Sequence, residues 1–152
     1  MRLVILASIV AGSVVSCNPP PEPARTIGPG HMPSGAAYHL GGPDVILKVT
    51  LDEVSGEPTG FEQGSAESTD LAVGFVGDKT STRTTTVRLT SRSKQTLKVD
   101  LWLSQDGQRF EYTSSCPIAP GKRSFETWAG DIPWVYVSNP RFLAADAPAT
   151  CD

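Results

Sequence analysis

A chain of 152 residues, 39% hydrophobic and 19% charged, has material for one modest core and not for several domains. Its 13 Lys and Arg against 16 Asp and Glu give a formal net charge of −3. That argues against nucleic acid as a partner, because neutralising a phosphate backbone needs a concentrated cationic surface.

Residues 1–16 read as a signal peptide. Arg2 supplies a minimal positive start, and Leu3 to Val15 is an uncharged apolar run. The run is shorter than the roughly 20 residues that a membrane-spanning helix needs. A short anchor or a buried first strand is the competing reading; position, length and the small residues at the end favour a cleaved leader. Its removal leaves 12 bases against 16 acids. Cleavage of the Ala-x-Ala type is poorly matched, because Val14-Val15-Ser16 stands before Cys17. That stretch resembles the lipobox of bacterial lipoproteins: an aliphatic residue, a tolerated residue, a small residue, then the cysteine that receives lipid. The resemblance implies a mature chain starting at a lipidated Cys17, with a membrane as its first partner. Asn18 stands where an aspartate would imply inner-membrane retention in enteric bacteria. The outer membrane, facing the periplasm, is therefore the expected location.

Residues 17–43 read as a tether. Asn18-Pro19-Pro20-Pro21-Glu22-Pro23 leads through Gly28-Pro29-Gly30 to Gly41-Gly42-Pro43, with few apolar side chains to offset the entropy of ordering. About 20 such residues at roughly 3 Å each would hold a domain some tens of ångströms from a bilayer.

From Asp44 to Asp152 the pattern is that of strands. Val45, Leu47, Val49 and Leu51 alternate with polar or outward residues, a period of two. Val54 to Ser68 reads as a loop. Leu71, Val73 and Phe75 alternate up to a Gly77-Asp78 turn, and Thr84 to Thr90 is β-branched with Val87 and Leu89 on one face. After the polar Ser91–Gln95 comes the clearest strand. Its Leu97, Val99, Leu101 and Leu103 face one way, and Lys98, Asp100 and Trp102 the other. Asp106-Gly107 reads as a hairpin turn into Arg109–Thr113. Beyond Pro120-Gly121 lie Ser124–Trp128, Trp134–Val137 and Arg141–Leu143. No helical stripe of eleven residues or more interrupts the series. About seven short strands separated by turn residues predict an all-β fold, a single β-sandwich. The run Val87–Ser93, Leu97–Leu103, Asp106-Gly107, Ile118-Ala119-Pro120-Gly121 and Trp134–Val137 resembles the immunoglobulin-like sandwiches of small bacterial lipoproteins. These include periplasmic families of unknown function. It departs from antibody-type domains in that Cys116 and Cys151 do not bracket a central tryptophan.

With Cys17 assigned to lipid, Cys116 and Cys151 remain as one pair for an oxidising compartment. The alternative, two free thiols in a reducing compartment, conflicts with the leader. Catalytic chemistry is poorly supplied. The histidines are His31 and His39, in and at the end of the tether, and no Gly-x-Ser-x-Gly, His-Glu-x-x-His or phosphate-cradling loop occurs. No enzyme, cofactor or metal is expected. His31, Met32 and His39 have copper-compatible donors, but a flexible segment has no outer partners to orient them. Asp52–Glu57 lacks the alternating oxygen ligands of a calcium loop.

Two features bear on binding. Residues 44–78 carry eight acids and one base, whereas residues 79–98 carry six bases and no acid. The segments either form a dipolar surface or lie side by side and neutralise each other. The second feature is the aromatic content late in the chain. Trp102, Trp134 and Tyr136, with Arg88 and Lys98, make the expected binding patch, although some of these must be core. The expected role is a lipid-anchored envelope protein whose sandwich binds a protein or helps to assemble an envelope complex. The alternative is a carbohydrate- or peptidoglycan-binding module using the exposed aromatics.

Overall fold

The computed structural model describes residues 26–27, 34–39, 42–76, 84–144, 146–147 and 150–151; the expected leader, Cys17 and the first part of the tether lie outside them. Every regular element among the described residues is a strand, and all the strand pairings are antiparallel. Sheet A has the order β1 (Thr26–Ile27), β8 (Phe110–Thr113), β7 (Thr96–Ser104), β10 (Trp134–Leu143), β2 (Gly35–His39). Sheet B has the order β4 (Pro58–Gln63), β3 (Val45–Leu51), β5 (Leu71–Phe75), β6 (Thr84–Ser91), β9 (Arg123–Ala129).

The alternating side chains bring the sheets together. Leu97, Val99 and Leu101 of β7, with Val135 and Val137 of β10, meet Leu47, Val49, Leu71, Val73, Val87 and Leu89 of sheet B in one buried cluster. Each such side chain contributes roughly 1.5–3 kcal/mol relative to exposure. The all-β sandwich read from the sequence is the observed fold, with ten strands among the described residues where about seven were expected.

The extra strands are β1, β2 and β4, and one further difference joins two expected strands into one. First, the folded unit reaches upstream of Asp44. Gly35–His39 pairs along its whole length with Trp134–Ser138. Tyr38 is buried, and its hydroxyl accepts the Phe75 amide at 2.9 Å, tying β2 to sheet B. Gly35 permits the pairing: a Cβ there would lie 2.0 Å from the Val137 carbonyl oxygen. A Gly-Ala-Ala run has little strand propensity of its own, so the composition reads as linker. Second, the expected loop Val54–Ser68 contains β4, whose one core side chain, Phe61, is too little to make a period. Third, Trp134–Leu143 is one strand that passes through a bulge between Ser138 and Arg141.

Several ties hold the ends. Buried Thr85 donates its hydroxyl to the Gly130 carbonyl (2.9 Å) and accepts the Ile132 amide (2.8 Å), fixing the crossing from β9 to β10. The Asp70 carboxylate accepts the Val49 amide at 2.9 Å, just past the point where the β3–β5 ladder ends at Leu47. The Asp106-Gly107 turn forms as expected. Gly107 has φ 70°, and the Asp106 carboxylate accepts the amides of Gln108 and Arg109 at 2.7 and 3.0 Å. Cys116 and Cys151 are joined in a disulfide across 35 residues, with Cα atoms 4.3 Å apart.

Candidate functional site

The five residues of the expected patch fall on two different sheets. Trp102, Trp134, Tyr136 and Lys98 project from the outward face of sheet A. That placement follows from the alternation that sends Leu97, Val99, Leu101, Val135 and Val137 inward. Arg88 lies on the outward face of sheet B, where its guanidinium pairs with Asp44 at 3.0 Å. The Asp44 carboxylate lies over Gly74, so closely that a Cβ there would be 2.4 Å from its oxygen. The acidic and basic segments therefore neutralise each other in part: β5 and β6 are neighbours, and Arg88 of the basic segment pairs with Asp44 of the acidic one.

The three sheet A aromatics are each engaged edge-on. Trp102 is only 7% exposed; its ring meets Tyr112 at 5.3 Å, and its indole N–H donates to Ser138 Oγ at 3.0 Å. Trp134 meets His39 at 4.3 Å, with Gly107 against its indole. Tyr136 meets Phe110 at 5.8 Å and lies against Gly35; burial pushes its phenol pKa up. They do not form a row of open coplanar rings. Lys98 is also largely buried and donates from Nζ to the Thr150 carbonyl at 3.3 Å, beside the disulfide-held Cys151.

Beside these residues is a depression of about 450 Å³, lined by Lys98, Asp100, Trp102, Tyr112, Asn139, Arg141 and Leu143. Its polar floor comes from the β10 bulge. Asn139 Nδ2 donates to one Asp100 oxygen at 2.8 Å, and Arg141 Nη2 to the other at 2.7 Å. Asp100, Asn139 and Arg141 carry no sequence motif. The signal that was available is Asn139-Pro140 inside an otherwise apolar strand, a pair that points to a turn or bulge.

The other exposed feature is a sheet edge. Three edge strands are short or blunted: β1 has two residues, β2 has five, and β4 opens on Pro58 opposite a β3–β4 register slip and carries a Lys48–Glu62 ion pair. The fourth, β9, runs seven residues without proline or bulge and pairs only with β6 among the described strands. Its Arg123, Phe125, Thr127 and Ala129 are exposed, while Ser124, Glu126 and Trp128 turn inward. Phe125, directly opposite Arg88, is 55% exposed, and the guanidinium reaches away from the ring to Asp44.

Among the described residues no three His, Cys, Asp or Glu side chains gather as metal ligands. His31 and Met32 lie outside the described residues. Asp52 serves its own turn: one carboxylate oxygen accepts the amides of Ser55 and Val54 at 2.8 and 3.0 Å, which lowers its pKa. No protein-family model matches the chain, and no curated protein and no solved structure matches it either.

Proposed function

We propose that this chain is a lipid-anchored protein of the cell envelope, held through Cys17 at the outer membrane on its periplasmic side. Its β-sandwich, immunoglobulin-like in kind, binds a protein partner and helps to assemble an envelope complex; the role is binding and not catalysis. The observation that carries this reading is the long, proline-free edge of β9, which pairs only with β6 among the described strands, with Phe125 facing solvent. Natural sheets blunt long edges, because an open row of N–H and C=O groups is a template for another strand. Here one edge of four is left long and regular. An extended segment of the partner would add to it by main-chain hydrogen bonds, with Arg123, Phe125 and Thr127 selecting side chains on the outward face. Covering the exposed part of Phe125, about half of the residue, would contribute roughly 1 kcal/mol.

A photo-crosslinking residue placed at Ala129 in the full chain, in intact cells, tests the edge. The control position is Val54, which is 97% exposed and far from β9 in the sheet order. A discrete adduct from Ala129 that is absent from Val54, and is lost in Phe125→Asp, is the expected result. Equal adducts from both positions, or none, would reject the edge as the binding surface. The anchor has a separate test. Mass spectrometry of the mature N-terminus should find a diacylglyceryl group on Cys17, and Cys17→Ser should leave the membrane fraction; an unmodified N-terminus refutes it.

A further inference from the structure

The bulge in β10 does more than interrupt a ladder. Asn139 is the one described residue other than glycine with a left-handed backbone, at φ 51°. Such conformations and bulges collect where a side chain has to be re-aimed. Here the bulge swings Asn139 and Arg141 onto the two oxygens of Asp100 and fixes a planar polar fork on the floor of the sheet A depression. The wall beside it is the Trp102–Tyr112 pair, with Trp102 locked by Ser138 and Tyr112 36% exposed.

We propose that this depression binds one or two pyranose rings of a neutral saccharide. Its volume lies within the range of small-ligand sites. In the lining Arg141 and Asp100 neutralise each other, and the remaining cation, Lys98, is largely buried with its Nζ turned to the Thr150 carbonyl, so the open floor suits a neutral ligand rich in donors and acceptors. Adjacent ring hydroxyls match planar groups. The Asp100 carboxylate accepts from one, and the guanidinium and the Asn139 amide donate to its neighbour. The exposed part of Tyr112 offers aromatic surface to the apolar C–H side of a ring. Because the fork is already hydrogen-bonded into place, little side-chain ordering remains to oppose binding. The site stands apart from β9, on the other sheet, and does not depend on the protein-binding reading.

The full chain in detergent, titrated separately with cellobiose, maltose and N,N′-diacetylchitobiose, tests the site through intrinsic tryptophan fluorescence, since Trp102 forms its wall. At least one sugar should give a saturable change. Tyr112→Ala and Asn139→Gly should each weaken that binding by about tenfold. Glycine tolerates the φ that Asn139 adopts, so the second variant removes the amide without forcing the bulge. An unchanged melting temperature in both separates lost contacts from lost fold. No saturable response to any of the three sugars overturns the proposal. So does binding that both variants leave intact, or a response to a tetra-alanine peptide with none to the sugars.

Discussion

Tyr38 gives the sharpest test of where the folded unit begins. Its ring is buried and its hydroxyl is the acceptor for the Phe75 amide across the sandwich. Tyr38→Phe keeps the ring and deletes that acceptor, leaving a part-buried N–H without this partner at a cost of about 1–3 kcal/mol. Tyr38→Ala also opens a cavity and should cost about 3–5 kcal/mol. With a urea m-value of roughly 2 kcal/mol/M for a domain of this size, the midpoints should fall by about 1 M and about 2 M. Urea titration read by tryptophan fluorescence suits the measurement, since Trp102, Trp128 and Trp134 all lie within the sandwich. A chain truncated to begin at Asp44 loses β2 altogether and should fare no better than Tyr38→Ala. A truncated chain that unfolds at the midpoint of the full chain would refute this, for β2 would then be an ornament on a sandwich complete without it.

Four further outcomes are expected. Cys116→Ser opens a 35-residue loop and should cost about 3–4 kcal/mol in the chain-entropy model, so a melting temperature unmoved by reductant would contradict a closed bridge. Gly107→Ala puts a methyl at positive φ and 3.1 Å from Trp134 Nε1; it should destabilise the hairpin by about 1–2 kcal/mol and change the Trp134 emission. Ser91→Ala should be neutral or stabilising by up to about 1 kcal/mol in thermal denaturation, because the buried Ser91 hydroxyl finds no partner among the described residues. The carboxyls of Asp52 and Asp106 are both held low, first by backbone amides: Ser55 then Val54 for Asp52, and Arg109 then Gln108 for Asp106. Their stabilising effect is therefore complete above the unfolded-state value of about 4 and is lost as pH falls through the lower folded values. Amide shifts of Ser55 and Arg109 followed by NMR should titrate below pH 4, and a midpoint above it would refute the turn assignments.

The parts of this fold that show in the sequence are those where one face of a strand is apolar. Leu97 to Leu103 and Trp134 to Val137 alternate as read, and the Asp106-Gly107 turn and the Cys116–Cys151 pair are where they were expected. β2 and β4 were hidden because each gives the core one large side chain, Tyr38 and Phe61, and a single residue has no period. Arg88 and Lys98 were expected in one binding patch. Residues 92–95 instead carry the chain from sheet B to sheet A, so the two cations end on opposite outer faces. The Asp100 fork escaped notice for another reason. Outward polar side chains carry no pattern, and the bulge that joins them depends on a register set by two strands far apart in sequence.

The early start of the sandwich changes the scale on which an anchored molecule would work. Thr26 already pairs with Glu111 in sheet A, nine residues after Cys17. Nine residues, fully drawn out, reach at most about 30 Å. A lipid on Cys17 would thus confine the domain to a shallow layer next to the headgroups, with its search volume set by lateral diffusion in the plane. Whatever meets the β9 edge would have to present its free strand low, close to the same membrane.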